Sequence, residues 1–108
     1  MKGYIYIMEC IDNSSSKLYY KIGITKNSPH LRLKALSTGN PSKITLINSY
    51  KSEHYLKIER ILHRLFKPKK EKGEWFNLSN EDAFSFIDEC KKAEDNIIFL
   101  LENNSLYD

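Results

Sequence analysis

Two stretches, Tyr4-Ile5-Tyr6-Ile7-Met8-Glu9-Cys10 and Leu18-Tyr19-Tyr20-Lys21-Ile22-Gly23-Ile24, decide how this chain folds. Both are rich in isoleucine and tyrosine, residue types that suit a pleated, half-buried surface better than a helix. Between them lies Asp12-Asn13-Ser14-Ser15-Ser16, an interval of turn formers. The pair reads as a β-hairpin with a longer loop. Because the apolar character is nearly continuous, the strands are expected to be covered on both faces or to lie in the middle of a sheet.

Working outward, Ser28-Pro29 has the form of a helix N-cap followed by proline at the first helical position. It predicts a short helix through Leu36 that stops before Gly39-Asn40-Pro41. Residues 43–50, with Ile44, Leu46 and Ile47 as apolar members, predict a third strand, and Ser52 is expected to cap a stronger helix. Tyr55, Ile58, Ile61, Leu62, Leu65 and Phe66 recur at helical spacing along one side until Lys67-Pro68 ends the pattern. Residues 69–73 read as a basic loop and Glu74-Trp75-Phe76-Asn77-Leu78 as a short aromatic segment with Trp75 and Phe76 in the core. Ser79 with Asp82 has capping-box spacing and opens a final helix carrying Ala83, Phe86, Ile87 and Cys90. The apolar patch at 97–101 extends or follows that helix, and the last residues are expected to fray.

The 108 residues, 41% hydrophobic and 29% charged, fit one α+β domain over 1–108, with 79–108 as a C-terminal helical extension. A domain of this size has a modest stability margin, so a polar residue turned inward needs a reason. Lys and Arg outnumber Asp and Glu by 17 to 14, for a net charge of +3, which fits a polyanionic partner without requiring one. The positive charge is concentrated in Lys57, Arg60, Arg64, Lys67, Lys69, Lys70 and Lys72, a stripe suited to phosphates, although any one of these lysines is more often just a solvated side chain. Cys10 and Cys90 stand far apart with no CxxC pair, and His30, His54 and His63 have no spacing that joins them as a tetrahedral set, which argues against structural zinc. With no signal-like run and no apolar stretch of membrane length, a soluble intracellular protein is expected.

Three groups of polar residues stand out. On a helical wheel of about 100° per residue, Glu59 falls beside Tyr55 and Phe66 at the border of the apolar stripe, with His63 one turn on. A carboxylate there suits a hard cation such as Mg²⁺, although an arbitrary boundary glutamate usually pairs with a lysine or arginine. Arg32, near Leu31, Ala35 and Leu36, offers a planar fork that matches phosphate, against the ordinary reading of a surface arginine. Among Tyr4, Tyr6, Tyr19 and Tyr20, most are expected to pack, and one reaching a cleft is suited to relaying a proton.

Taken in order, Gly3-Tyr4-Ile5-Tyr6-Ile7, Tyr20-Lys21-Ile22-Gly23-Ile24-Thr25, Arg32-Leu33, Ile58-Glu59 with Leu62-His63 and Phe66, and Gly73-Glu74-Trp75-Phe76 resemble the GIY-YIG nuclease superfamily, in particular its small phage- and virus-type branch. The resemblance covers residues 3–78. It implies a small three-stranded antiparallel sheet flanked by helices and a DNA endonuclease using one Mg²⁺ or Mn²⁺ ion per active site. Tyr6 matches the tyrosine of the first motif, Arg32 the phosphate-contacting arginine and Glu59 the metal-binding glutamate. The second motif has Lys21 where the named pattern has tyrosine, as in this branch, and Lys21 is the candidate proton partner. Gly3 lies one residue further from Tyr6 than the pattern requires, which leaves Tyr4 as an alternative for the tyrosine role. His63 matches a branch position able to contact phosphate or orient water, and Asn77 lies beside the last motif. DNA contacts are then expected from Arg60, Arg64, Lys67, Lys69 and Lys70. Two other classes fit the same residues: a catalytically weak or inactive DNA-binding module of this fold, and a protein-interaction domain.

Overall fold

The two apolar runs pair as expected. In a computed structural model, which describes residues 1–40 and 42–104, β1 (Gly3–Ile11) and β2 (Leu18–Thr25) are antiparallel, with Tyr6 opposite Gly23 and Met8 opposite Lys21. Asp12 organises the connecting loop: its carboxylate accepts the Ser15 hydroxyl at 2.7 Å and the Ser14 hydroxyl at 3.1 Å, so the turn is closed by its own side chains. β3 (Lys43–Ser52) lies antiparallel on the other side of β1, with a bulge between Ile7 and Met8. The expected stop at Pro41 and the fraying of residues 105–108 lie outside the described residues.

The sheet has five strands, not three, in the order β3-β1-β2-β5-β4. The additions are β4 (Lys70–Lys72) and β5 (Trp75–Phe76), joined by a turn in which Gly73 takes φ +60°. The expected basic loop is thus a 3-10 turn (Lys67–Lys69) followed by an edge strand. Strands of three and two residues are too short for any alternation to register in sequence.

Ser28 caps α1 (Pro29–Ser37), accepting from His30 N at 3.2 Å. Ser52 acts differently from the expected cap. It is buried, its Oγ accepts from His54 N at 2.9 Å and donates to Glu94, and α2 (Tyr55–Leu65) starts after His54. The last helix is broken in two, α3 (Asn80–Phe84) under the Ser79–Asp82 capping box and α4 (Phe86–Asn104). At the break, the Ser85 hydroxyl donates to Asp82 O at 2.7 Å. Residues 97–101 continue α4, with Ile97 buried and Ile98 to Leu101 exposed. No helix among the described residues is long and apolar enough to cross a membrane.

Strand alternation divides the hairpin between two faces. Ile5, Ile7, Tyr20 and Ile22 join Tyr55, Ile58 and Leu62 of α2 and Phe86, Cys90, Ala93 and Ile97 of α4 in one buried core. Tyr6, Met8, Cys10, Tyr19 and Lys21 project from the opposite face, where α1 lies along β3 and β1. On this second face Tyr6 and Met8 are buried as well, and Lys21 is a buried charged residue beside them.

Candidate active site along the second strand

Lys21-Ile22-Gly23 forms the axis of the site. Gly23 has no side chain, and Tyr6 fills its place: a Cβ at position 23 would lie 2.4 Å from the Tyr6 hydroxyl oxygen and 2.6 Å from its Cζ. The glycine therefore lets the tyrosine ring reach across β2 with its hydroxyl over the backbone. Two residues back on the same face, Lys21 is 9% exposed. Its Nζ donates to Glu74 Oε2 at 2.6 Å and lies 5.5 Å from the centre of the Trp75 ring. The β4–β5 turn delivers Glu74 to this point because Trp75 is in register with Lys21.

Beyond Lys21, β5 no longer pairs with β2. There the Ile22 carbonyl meets His63 Nε2 at 2.7 Å. A carbonyl oxygen can only accept, so in this arrangement Nε2 carries the proton and Nδ1 of the neutral ring keeps a lone pair. The His63 ring is held edge-on to Phe76, with centroids 5.0 Å apart and planes at 88°.

Glu59, one helical turn before His63, is half-buried, and its carboxylate has no hydrogen bond or ion pair among the described residues. Burial lifts its pKa, His63 pulls it back, Glu74 pushes it up, and Arg60 and Lys21 lower it; the balance stays above the usual glutamate value. These influences show that Glu59, His63, Glu74 and Lys21 share one electrostatic neighbourhood. Among the described residues no three His, Cys, Asp or Glu gather as a metal cage. Mg²⁺ does not need one, since it keeps several waters and uses one or two carboxylates. The unengaged, partly desolvated Glu59 carboxylate fits such an ion.

Along three consecutive residues of β2 the structure thus places Tyr6 over Gly23 and Lys21 on one face, and His63 on the Ile22 carbonyl with Glu59 one helical turn before it. Arg32 is exposed on α1, the helix that lies along β3 and β1, and its guanidinium has no hydrogen bond or ion pair among the described residues. Tyr4 shares the face of Tyr6 but lies opposite Thr25 and under Lys51, whose Nζ is 5.8 Å from its ring centre. Arg60, Arg64, Lys67 and Lys70 are exposed, whereas Lys69 is bound to Asp82. Asn77 is exposed as well. Trp75 is not a core residue as expected; Phe76 takes that place, and Trp75 is half-exposed against Lys21. Glu74 was not singled out in the sequence, although it sits inside the Gly73-Glu74-Trp75-Phe76 run, because its partner is 53 positions away.

The family model described as the T5orf172 domain matches residues 3–103. No curated protein and no solved structure matches the chain.

Proposed function

We propose, since the chain belongs to the T5orf172 domain family, that it is a metal-dependent nuclease of GIY-YIG type that hydrolyses phosphodiester bonds in DNA. One observation carries this reading: along Lys21-Ile22-Gly23 of β2, Tyr6 of β1 lies over Gly23 and His63 of α2 meets the Ile22 carbonyl, with Glu59 one helical turn before His63 and within the electrostatic reach of Lys21. A family related to phage nuclease-like domains supports it.

In this reading the Tyr6 hydroxyl, held over Gly23, hydrogen-bonds the attacking water. The lone pair of His63 Nδ1 receives the proton as the water oxygen bonds to phosphorus and the leaving oxygen departs. Lys21, kept in place by Glu74 and Trp75, turns positive charge toward the phosphate, and Arg32 adds a bidentate contact from α1. Glu59 would hold Mg²⁺ or Mn²⁺, which when bound supplies charge neutralisation at the phosphate and the leaving oxygen. Arg60, Arg64, Lys67 and Lys70 extend the contact along the backbone, with Lys69 joining when it leaves Asp82.

The test is supercoiled plasmid incubated with Mg²⁺ or Mn²⁺. Wild type is expected to nick it, and Glu59→Ala and Arg32→Ala are expected to lose nicking while circular dichroism shows an intact fold. Nicking by Glu59→Ala at the wild-type rate would overturn the assignment. A second reading, DNA binding without turnover, is favoured by the Lys21–Glu74 ion pair, which already engages the ammonium. It predicts salt-dependent binding with no product under any divalent cation.

A further inference from the structure

A concavity of about 390 Å³ opens on the face that carries Tyr6 and Lys21. Its floor comes from three neighbouring strands: Cys10 of β1, Tyr19 opposite it on β2, and Trp75 of β5, diagonal to Tyr19. Because Lys21 Nζ rests against the Trp75 ring, the concavity begins where the candidate active site ends. Its volume lies in the range of pockets that enclose small organic groups.

The chemistry of the walls narrows the occupant. Tyr19 and Trp75 are half-buried and offer aromatic surface, which favours a planar heterocycle. The rim carries the carboxylates of Asp12 and Glu71 against the single ammonium of Lys72, so it repels a phosphate. Asp12 is already engaged by Ser14 and Ser15, whereas the Glu71 carboxylate has no hydrogen bond or ion pair among the described residues. Asn40 accepts from Ser42 N at 2.9 Å through its carbonyl oxygen, which leaves its amide nitrogen to donate. A neutral ring with both an amino group and an acceptor nitrogen suits such a rim.

We propose that this pocket takes an unpaired nucleobase from the strand whose phosphate lies at Lys21, stacking it on Tyr19 and Trp75 and engaging an exocyclic amino group with Glu71. The proposal rests on the nuclease reading and deepens it. The substrate is DNA with an unpaired base next to the cleaved phosphate, and adenine or cytosine is preferred to thymine, which has no amino group.

Trp75 is the only tryptophan of the chain, so the emission comes from the wall between this pocket and Lys21, and the abasic strand separates stacking in the pocket from phosphate contact at Lys21. The full chain, in EDTA to prevent cutting, is titrated with end-labelled oligodeoxycytidylate, oligodeoxyadenylate, oligothymidylate and an abasic strand of equal length. Label anisotropy reads binding and Trp75 emission reads stacking. The base-bearing strands are expected to quench Trp75, cytosine and adenine at lower concentration than thymine, and the abasic strand to bind without quenching. Tyr19→Ala is expected to weaken binding of oligodeoxycytidylate about 5- to 100-fold, while Tyr19→Phe, which keeps the ring, retains it. The same emission change with the abasic strand means phosphate contact only and overturns the proposal, as does wild-type affinity in Tyr19→Ala. If strands bind and plasmid is nicked but Trp75 emission does not move, the pocket assignment alone fails. If no strand binds while plasmid is still nicked, this proposal falls and the nuclease reading stands; if plasmid is not nicked either, both fall.

Discussion

Glu59 is a carboxylate whose charged form the fold disfavours. Its folded pKa lies above the usual value, with burial the largest cause, so the native state binds a proton more readily than the unfolded chain does. Stability carried by this group therefore rises as pH falls from neutrality through the folded pKa toward the unfolded one. Glu59→Gln is expected to raise Tm at pH 7 and to abolish metal-dependent nicking; melting curves at decreasing pH should show its advantage shrinking to nothing below the ordinary glutamate value. A stabilising change that removes activity is the mark of a functional residue held at a cost in stability. Gly23 presents the reverse case. A methyl group there collides with the Tyr6 hydroxyl, so Gly23→Ala should cost about 1–3 kcal/mol in urea unfolding and lower nicking as well. Tyr6→Phe, which removes only the hydroxyl and keeps the buried ring, is expected to lose nicking while stability changes by about 1 kcal/mol or less.

Between elements, Glu94 locks α4 onto β3. Burial pushes its pKa up, but hydroxyls donated by Ser52 and by Tyr50, the latter at 2.7 Å, outweigh it and leave the carboxyl below its usual value. A depressed pKa gives stability that is present above the unfolded value and lost as pH falls through the folded one. Wild type should therefore exceed Glu94→Gln in Tm at pH 7, with the gap closing in acid, opposite in sign to the Glu59 pair and measurable in the same melts. How much of this was legible depends on range. The hairpin, the capped helix α1, the apolar side of α2 and the Ser79–Asp82 box follow from spacings of two to four residues, and all appear in the structure. β4 and β5 carry no period, and the break at Ser85 rests on one hydroxyl–carbonyl contact, so neither was visible. In the site, Glu59 and His63 stood out through their place on the helix and the ordered motif, but Glu74 and the exposed role of Trp75 depend on pairing between β2 and β5. Such register is set by the assembled sheet rather than by neighbouring residues.

At the scale of the molecule, the exposed Arg60, Arg64, Lys67 and Lys70 make DNA affinity a matter of counterion release. Binding is expected to weaken as salt rises, and Arg64→Ala to reduce the slope of log affinity against log salt by about 1, read by anisotropy with the same duplex at several salt concentrations. The sheet itself has unequal flanks. On one side β4 ends it with three exposed residues, Lys70-Glu71-Lys72, too short and too charged to template a neighbour. On the other, β3 runs ten residues with no further strand beside it among the described residues. Recruitment of another chain is therefore confined to a single border, and a second copy docking there would consume the borders of both. Growth by strand addition ends at a pair, so the short charged strand at the far border is what keeps the architecture from extending into a fibril.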